Sequence, residues 1–463
     1  MQDFKHLSQK NRFSDLKPFN KGPRNRRLKS DVETKRLRLS LPAGKRRQQL
    51  KLTLIFLAVV LALTPVCFAS LRQSKIIWQH VSGWFASLTE TTPKPVEAAK
   101  PPVIPPGHFE LAGDLLENAD ISGELLSAKT PNGLKLNYTI QSGLQKRVHD
   151  YLAKNEVPYG VFVAMEPATG RILGMTSYSS VNPGWTKNSA YDLYPMASLF
   201  KIITASAALE SRKITPESVI EFRGGATSES PRYWEISPRG KNNRLDATYA
   251  MGKSINPVYG RIASDIAGKT SVMESVSRFG FNQELFPGSP AKPSQATAPN
   301  SDNDLMLMGA GLDHDVKISP LHAAVIMSAI ANGGIMMAPT LTTSISDDKG
   351  REKETFVPRE IRRLVTPETA TSLKRMLSST VLTGTSRKAF HDRHGRPLID
   401  VPIAAKTGSI NGNDPKGYYT WFAAFAPINN PRIALVALVI NPGKWKIKAS
   451  QVGEQALEEF FEK

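Results

Sequence analysis

The sequence predicts an α+β protein: a mostly antiparallel central sheet flanked by helices, a helix-rich subdomain, and an N-terminal transmembrane helix. Three observations predict it. Strand-like runs gather near both ends of the region that begins at about Gly133. Helical patterns fill the middle of that region, so distant segments must close one sheet. Leu52–Leu71 is uncharged over twenty residues, which is long enough to cross a bilayer.

Taken in order, residues 1–51 hold 16 of the 60 Lys/Arg residues but only four of the 41 Asp/Glu. The net charge of +19 is therefore concentrated in a tail, which argues against a nucleic-acid-binding surface spread over the whole protein. The tail lacks hydrophobic periodicity, and its charge suits anionic lipid. Many basic residues before the anchor at 52–71, and only Arg72 and Lys75 just after it, put the N-terminus in the cytoplasm and the rest outside. The expected localisation is the cell (inner) membrane, single-pass, with a periplasmic or extracytoplasmic domain. The long n-region favours an uncleaved anchor over a signal peptide. Cys67 is the only cysteine, so no intramolecular disulfide is possible.

Residues 72–132 read as an interfacial helix, with Ile77, Trp78, Val81, Trp84, Phe85 and Leu88 at helical spacing, followed by a stiff linker with six prolines between 91 and 107. The globular pattern then occupies 133–463. Leu134–Ile140 alternates as a strand, and Ser142–Lys154 suits a helix. Tyr159–Met165 and Arg171–Thr176 flank the turn Glu166-Pro167-Ala168-Thr169-Gly170. Helices are expected over Ala247–Ala267, Ser271–Phe279, Ser319–Asn332 and from Thr366-Pro367 to Val381, the third with Pro320 at its first position and Gly333 past its end. Strands follow at Pro402–Ser409, Tyr419–Phe425 and Arg432–Ile440, then a helix from about Ser450 to Phe461.

Chemistry concentrates in Tyr194–Glu210, where Ser198 and Lys201 stand three apart at the start of an alanine-rich helical run. That spacing puts both side chains on one face, in a first turn whose free N–H groups favour an oxyanion. A serine hydroxyl needs a base, and a lysine serves when burial or a second cation keeps it neutral. Ser14–Lys17, Ser289–Lys292 and Ser346–Lys349 share the spacing, but none of them opens a long helix. Two further stretches strengthen the pair: Lys253-Ser254-Ile255-Asn256, and Ala405-Lys406-Thr407-Gly408-Ser409 within a strand. Of the competing Ser-x-Asn triplets, Ser180-Val181-Asn182 precedes the nucleophile, Ser301-Asp302-Asn303 stands in what reads as a Pro/Ala loop, and Ser409-Ile410-Asn411 overlaps the third stretch. His391 and His394 in a polar loop, with no further ligand in the sequence, do not argue for a metal, and neither a nucleophile elbow nor a phosphate-binding glycine loop occurs. No cofactor is expected.

The order Ser-x-x-Lys, Ser-x-Asn, Lys-Thr-Gly resembles the signatures of penicillin-binding protein transpeptidase domains, whose serine acyl-transferase family includes the serine β-lactamases. The likeness runs over roughly Leu134–Phe461 and includes Gly309–Pro339, Gly384-Thr385-Ser386 and Trp421-Phe422-Ala423-Ala424-Phe425-Ala426-Pro427. Alanines at 197 and 405 stand where the family usually has glycine, and Ser409 where threonine is common. The resemblance implies a penicillin-binding/β-lactamase-like fold and a set of roles. Ser198 would form the acyl-enzyme, with Lys201 taking its proton. Ser254 would relay a proton to the leaving nitrogen, with Lys406 as supporting cation. Asn256 would bind the substrate amide, and Thr407 and Ser409 the terminal carboxylate. Gly408 would let the substrate backbone lie against the strand, and the backbone N–H groups of Ser198 and Ser409 would form an oxyanion hole.

On that likeness the expected function is a membrane-anchored serine-type D-Ala-D-Ala transpeptidase that cross-links peptidoglycan stem peptides and is acylated by β-lactam antibiotics. Its expected partners are those stem peptides, β-lactams, membrane lipid and cell-wall synthesis proteins such as a glycosyltransferase, with no nucleic acid. A D,D-carboxypeptidase or β-lactamase using the same site is an alternative, as is a non-catalytic β-lactam sensor or scaffold.

Overall fold

The central strand explains the fold. Ile433–Asn441, IALVALVIN, is buried along its whole length. A near-continuous apolar run of this kind needs cover on both faces. Its alternate residues supply two different cores. Ala434, Val436, Leu438 and Ile440 join the larger one, while Ile433, Leu435, Ala437 and Val439 join the smaller. This computed structural model describes residues 107–116, 119–122, 125–443 and 445–462. The expected basic tail, membrane anchor and interfacial helix lie outside the described residues. Among the described residues no helix is long and apolar enough to cross a membrane.

The central sheet runs in the order Ala404–Asn413, Lys416–Ala426, Ile433–Asn441, Tyr159–Met165, Ile172–Tyr178, antiparallel throughout. The C-terminal strands thus pair with the N-terminal ones, as strands at both ends of the region predict. The helices Ser142–Lys154 and Ala449–Phe461 supply the smaller core, and Lys201–Glu210 and Pro320–Ala331 the larger. Ala404–Asn413 is an edge strand, paired on one side only.

Four expectations need correction. A second five-stranded sheet, in the order Asp120–Ser122, Leu125–Lys129, Lys135–Tyr138, Thr342–Ser346, Glu352–Thr355, joins the single sheet expected. Of its strands only Lys135–Tyr138, inside the alternating run Leu134–Ile140, was read from the sequence; the other four are three to five residues long, too short to show a clear period. Folded structure also begins before Gly133. The helix Gly107–Leu115 buries Ala112, whose carbonyl accepts a 2.7 Å hydrogen bond from the Tyr138 hydroxyl, so the end of the expected linker is packed into the main core. The helix expected over Ala247–Ala267 is broken into Ala247–Lys253, Asn256–Arg261 and a π-helical turn at Ile262–Ala267. Finally, Ser301 does not stand in a loop. It caps the helix Asp302–Ala310 in a reciprocal capping box with Asp304.

The helix Pro320–Ala331 is buried at all twelve positions and is capped by Ser319, as its Ser-Pro start predicts. It carries His322, whose Nδ1 accepts from the Ser294 hydroxyl at 2.7 Å and whose Nε2–H donates to the Phe279 carbonyl at 2.9 Å. Burial lowers its pKa to about 4. Above pH 6.5 the ring is neutral in the folded and unfolded chain alike. Below that the unfolded chain takes up a proton that the folded chain refuses until about pH 4, so stability falls across this window by about 3 kcal/mol. Thermal unfolding of wild type and His322→Gln between pH 7 and 4.5 checks this. Wild type should lose stability more steeply, and parallel slopes would refute the assignment.

Candidate active site

Ser198 lies in a 3-10 turn, Ala197–Phe200, that runs directly into the helix Lys201–Glu210. The turn is entered through Ala197 at φ +53°, a left-handed conformation that costs a non-glycine residue on the order of 1 kcal/mol or more. Two glycines make room for it. Gly311, at φ +70°, closes the helix Asp302–Ala310, and a Cβ there would lie 2.2 Å from the Ala197 carbonyl oxygen and 2.9 Å from the Ser198 Cα. A Cβ on Gly408 would stand 3.2 Å from the Ala197 Cβ and 3.4 Å from the Ser198 amide nitrogen. The edge strand therefore lies directly against the turn that carries Ser198.

Lys201 Nζ is fully buried and stands 2.8 Å from Ser198 Oγ and 2.8 Å from Asn256 Oδ1; it also donates to the Ala310 carbonyl. Burial, and then the charge of Lys406, hold its pKa well below the ordinary lysine range. A neutral amine has two N–H bonds and one lone pair. The two oxygens that can only accept, those of Asn256 and Ala310, take both hydrogens, and the lone pair is left facing the Ser198 hydroxyl. Asn256 is fixed in this sense because its Nδ2 donates to the Ser228 carbonyl at 3.3 Å.

Ser254 is held in the left-handed region at φ 57°, ψ 44°, where it ends one short helix just before the next begins at Asn256-Pro257. Its hydroxyl accepts from Lys406 Nζ at 2.8 Å, and that ammonium also donates to the Thr407 carbonyl at 2.6 Å. Lys406 is fully buried, and burial lowers its pKa to about 7. Thr407 and Thr385 share a hydrogen bond between their hydroxyls at 2.6 Å, while Ser409 is exposed further along the edge strand.

Residues from three distant stretches thus meet: Ser198, Lys201 and Asn256 form one hydrogen-bonded group, Ser254, Lys406 and Thr407 another, and Gly408 lies against the Ser198 turn, with Ser409 next along the strand. The structure adds contacts the sequence did not assign: the Ala310 carbonyl, Gly311 and Thr385, which lie in stretches already quoted, and Ser228, which does not. The Ser-Pro spacing around Gly309–Pro339 marks a helix but carries no sign that the preceding carbonyl holds a lysine. Competing motifs are occupied elsewhere. Lys292 pairs with Asp192, the Ser180 hydroxyl donates to Glu156, and Asp392, beside His391 and His394, pairs with Arg396.

Comparison with known proteins gives the same picture. The family model "Penicillin binding protein transpeptidase domain" matches residues 160–461. Peptidoglycan D,D-transpeptidase PbpA of Mycobacterium tuberculosis is 27% identical over 403 residues, covering 79% of this chain and 77% of its own. The penicillin G acyl-enzyme complex of M. tuberculosis penicillin-binding protein A superposes with a TM-score of 0.59 at 25% identity, covering 70% of this chain and 80% of that one. The D,D-transpeptidase domain of an Eggerthella lenta peptidoglycan glycosyltransferase shares the fold, with a TM-score of 0.60 at 24% identity over 76% of this chain and 91% of its own. With its fold, its ordered motifs and the matched span in agreement, the chain belongs to the penicillin-binding protein transpeptidase family.

Proposed function

We propose that this chain is a membrane-anchored D,D-transpeptidase that cross-links peptidoglycan stem peptides ending in D-Ala-D-Ala, and that β-lactams acylate it at Ser198. One observation carries the reading: a buried, neutral-leaning Lys201 amine stands 2.8 Å from the Ser198 hydroxyl, with a second buried lysine nearby. Ser198 Oγ attacks the carbonyl between the two alanines as its proton passes to Lys201. The oxyanion forms at the backbone N–H groups of Ser198 and Ser409, donors worth about 3–4 kcal/mol each. Ser254, hydrogen-bonded to Lys406, delivers a proton to the leaving nitrogen, and terminal D-Ala departs. Asn256 meets the substrate amide with the N–H that Ser228 leaves free, its Oδ1 staying on Lys201, and Thr407 and Ser409 meet the terminal carboxylate. Gly408 lets the peptide lie along the open strand edge. An amine of a second stem peptide then attacks the acyl-enzyme, giving the cross-link and restoring the Ser198 hydroxyl.

The anchor at 52–71 holds the domain outside the cytoplasm, beside peptidoglycan. Labelled penicillin tests the whole reading on the full chain. Wild type should carry the label, in the membrane fraction, with the adduct mapped to Ser198 by mass spectrometry, and Ser198→Ala should carry none. Label retained by the alanine variant would end the assignment. An added amine then separates cross-linking from hydrolysis, because a carboxypeptidase would return only the free acid.

A further inference from the structure

We infer that Trp234 is a positioning residue for the Ser198–Lys201 pair: it holds the two carbonyl groups that aim the Lys201 amine. The inference rests on the reading of Lys201 as the base for Ser198.

Trp234 is fully buried but belongs to neither main core. It forms a small cluster with Met306 and Ala310, against which Leu312 packs. Its position is tightly bounded, since a Cβ on Gly260 would lie 2.3 Å from the indole Cζ3. The indole has two functions. Its Nε1–H donates to Ser228 Oγ at 2.9 Å, and the Ser228 carbonyl accepts from Asn256 Nδ2. Its ring shares a small buried cluster with Met306 and Ala310, and the Ala310 carbonyl accepts from Lys201 Nζ. One side chain thereby supports both obligate acceptors of the lysine, Asn256 through its amide orientation and Ala310 through packing.

The chemistry makes this matter. An Asn side chain presents oxygen on one side and NH2 on the other, and only the oxygen can accept from Lys201. The Ser228 carbonyl selects that orientation by accepting from the NH2. If residue 228 drifts, the amide is free to turn. One Lys201 hydrogen then loses its acceptor, and the amine rotates that hydrogen toward Ser198 in place of the lone pair. Loss of the acceptor also disfavours the ammonium form, so Lys201 would release its proton at still lower pH.

The test is the rate of acylation of the full chain by labelled penicillin across pH, in wild type, Trp234→Phe, Ser228→Ala and the double variant. Trp234→Phe keeps a ring but lacks the N–H; Ser228→Ala keeps the carbonyl but lacks the hydroxyl. Each should acylate about tenfold more slowly, the size of effect expected for one misdirected hydrogen bond. In each, the acid-side limb of the rate profile should move to lower pH. The double variant should be no slower than the worse single, because both remove the same contact. Wild-type rates in both singles would overturn the inference. So would slowing with the limb unmoved, which a merely structural loss would give. If Trp234→Phe fails to fold, Ser228→Ala decides alone by the same criteria. A wild-type chain that takes no label would overturn the reading of Ser198 itself, and the inference with it.

Discussion

Lys201→Met should slow acylation of Ser198 by about 10²–10⁴-fold, the range expected when a positioned proton acceptor is lost. Folding should suffer far less than the rate. Methionine fills the same buried space and removes the cost of burying an amine, but leaves Asn256 Oδ1 and the Ala310 carbonyl without that donor, a loss of about 1–3 kcal/mol. A loss of rate far larger than the loss of stability is therefore the signature. Parallel loss of both would show that the lysine is structural. The pH profile supplies the sign. In wild type the rate should rise as Lys201 loses its proton, an event that burial and the Lys406 cation bring well below the ordinary lysine range. Lys406→Met removes that cation, so the ascending limb should move to higher pH. The two amines interact, and the limbs belong to the pair as a unit. Both folded pKa values lie below the ordinary lysine value, so the unfolded chain binds more protons, and stability should rise with pH above about 7.

Gly311→Ala should be the most damaging conservative substitution near the site. The new methyl would overlap the Ala197 carbonyl, 2.2 Å away, at a φ of +70°. Neither neighbour can yield: one is backbone, and the other is the turn that carries Ser198. A loss of about 2–4 kcal/mol is expected, together with loss of penicillin labelling even below the melting temperature. Gly333→Ala is the control. It shares a left-handed φ of +65° but would meet nothing within 4 Å, so it should cost only about 1 kcal/mol. Equal effects in the two variants would mean that conformation alone matters at Gly311, and not its approach to the nucleophile.

How far these features were legible depends on whether a residue's role is local. The helix Ser142–Lys154 read from its three-four spacing, and the strand Tyr159–Met165 from a short apolar run that ends at a turn. The capped starts at Ser319-Pro320 and Thr366-Pro367 read just as locally. The eight motif residues were found because order and spacing survive in one dimension. The break after Lys253 was missed although Pro257 signals it: a proline cannot donate to the turn before it, and the alanine-rich pattern outweighed that cue. The capping box at Ser301 was likewise present in the letters, with Asp304 three residues on, but was hidden behind a proline-rich approach. Nothing local marks Trp234 or Ala310. Their importance arises only when Met306–Ala310 folds beside Lys201, and a backbone carbonyl has no letter of its own.

The closure of the central sheet has a bearing on folding. The strand Ile433–Asn441 joins the Lys406 half to the Tyr159–Met165 half, which lies far earlier in the chain. Pairings between such remote segments form slowly, because a long loop must be ordered before any contact rewards it. A chain cut short of Ile433 would keep Ser198, Lys201 and Lys406, yet lack the strand through which the sheet links Ala404–Asn413 and Lys416–Ala426 to Tyr159–Met165. On the roles proposed above, such a fragment would hold all the chemistry in its letters and no frame to align it.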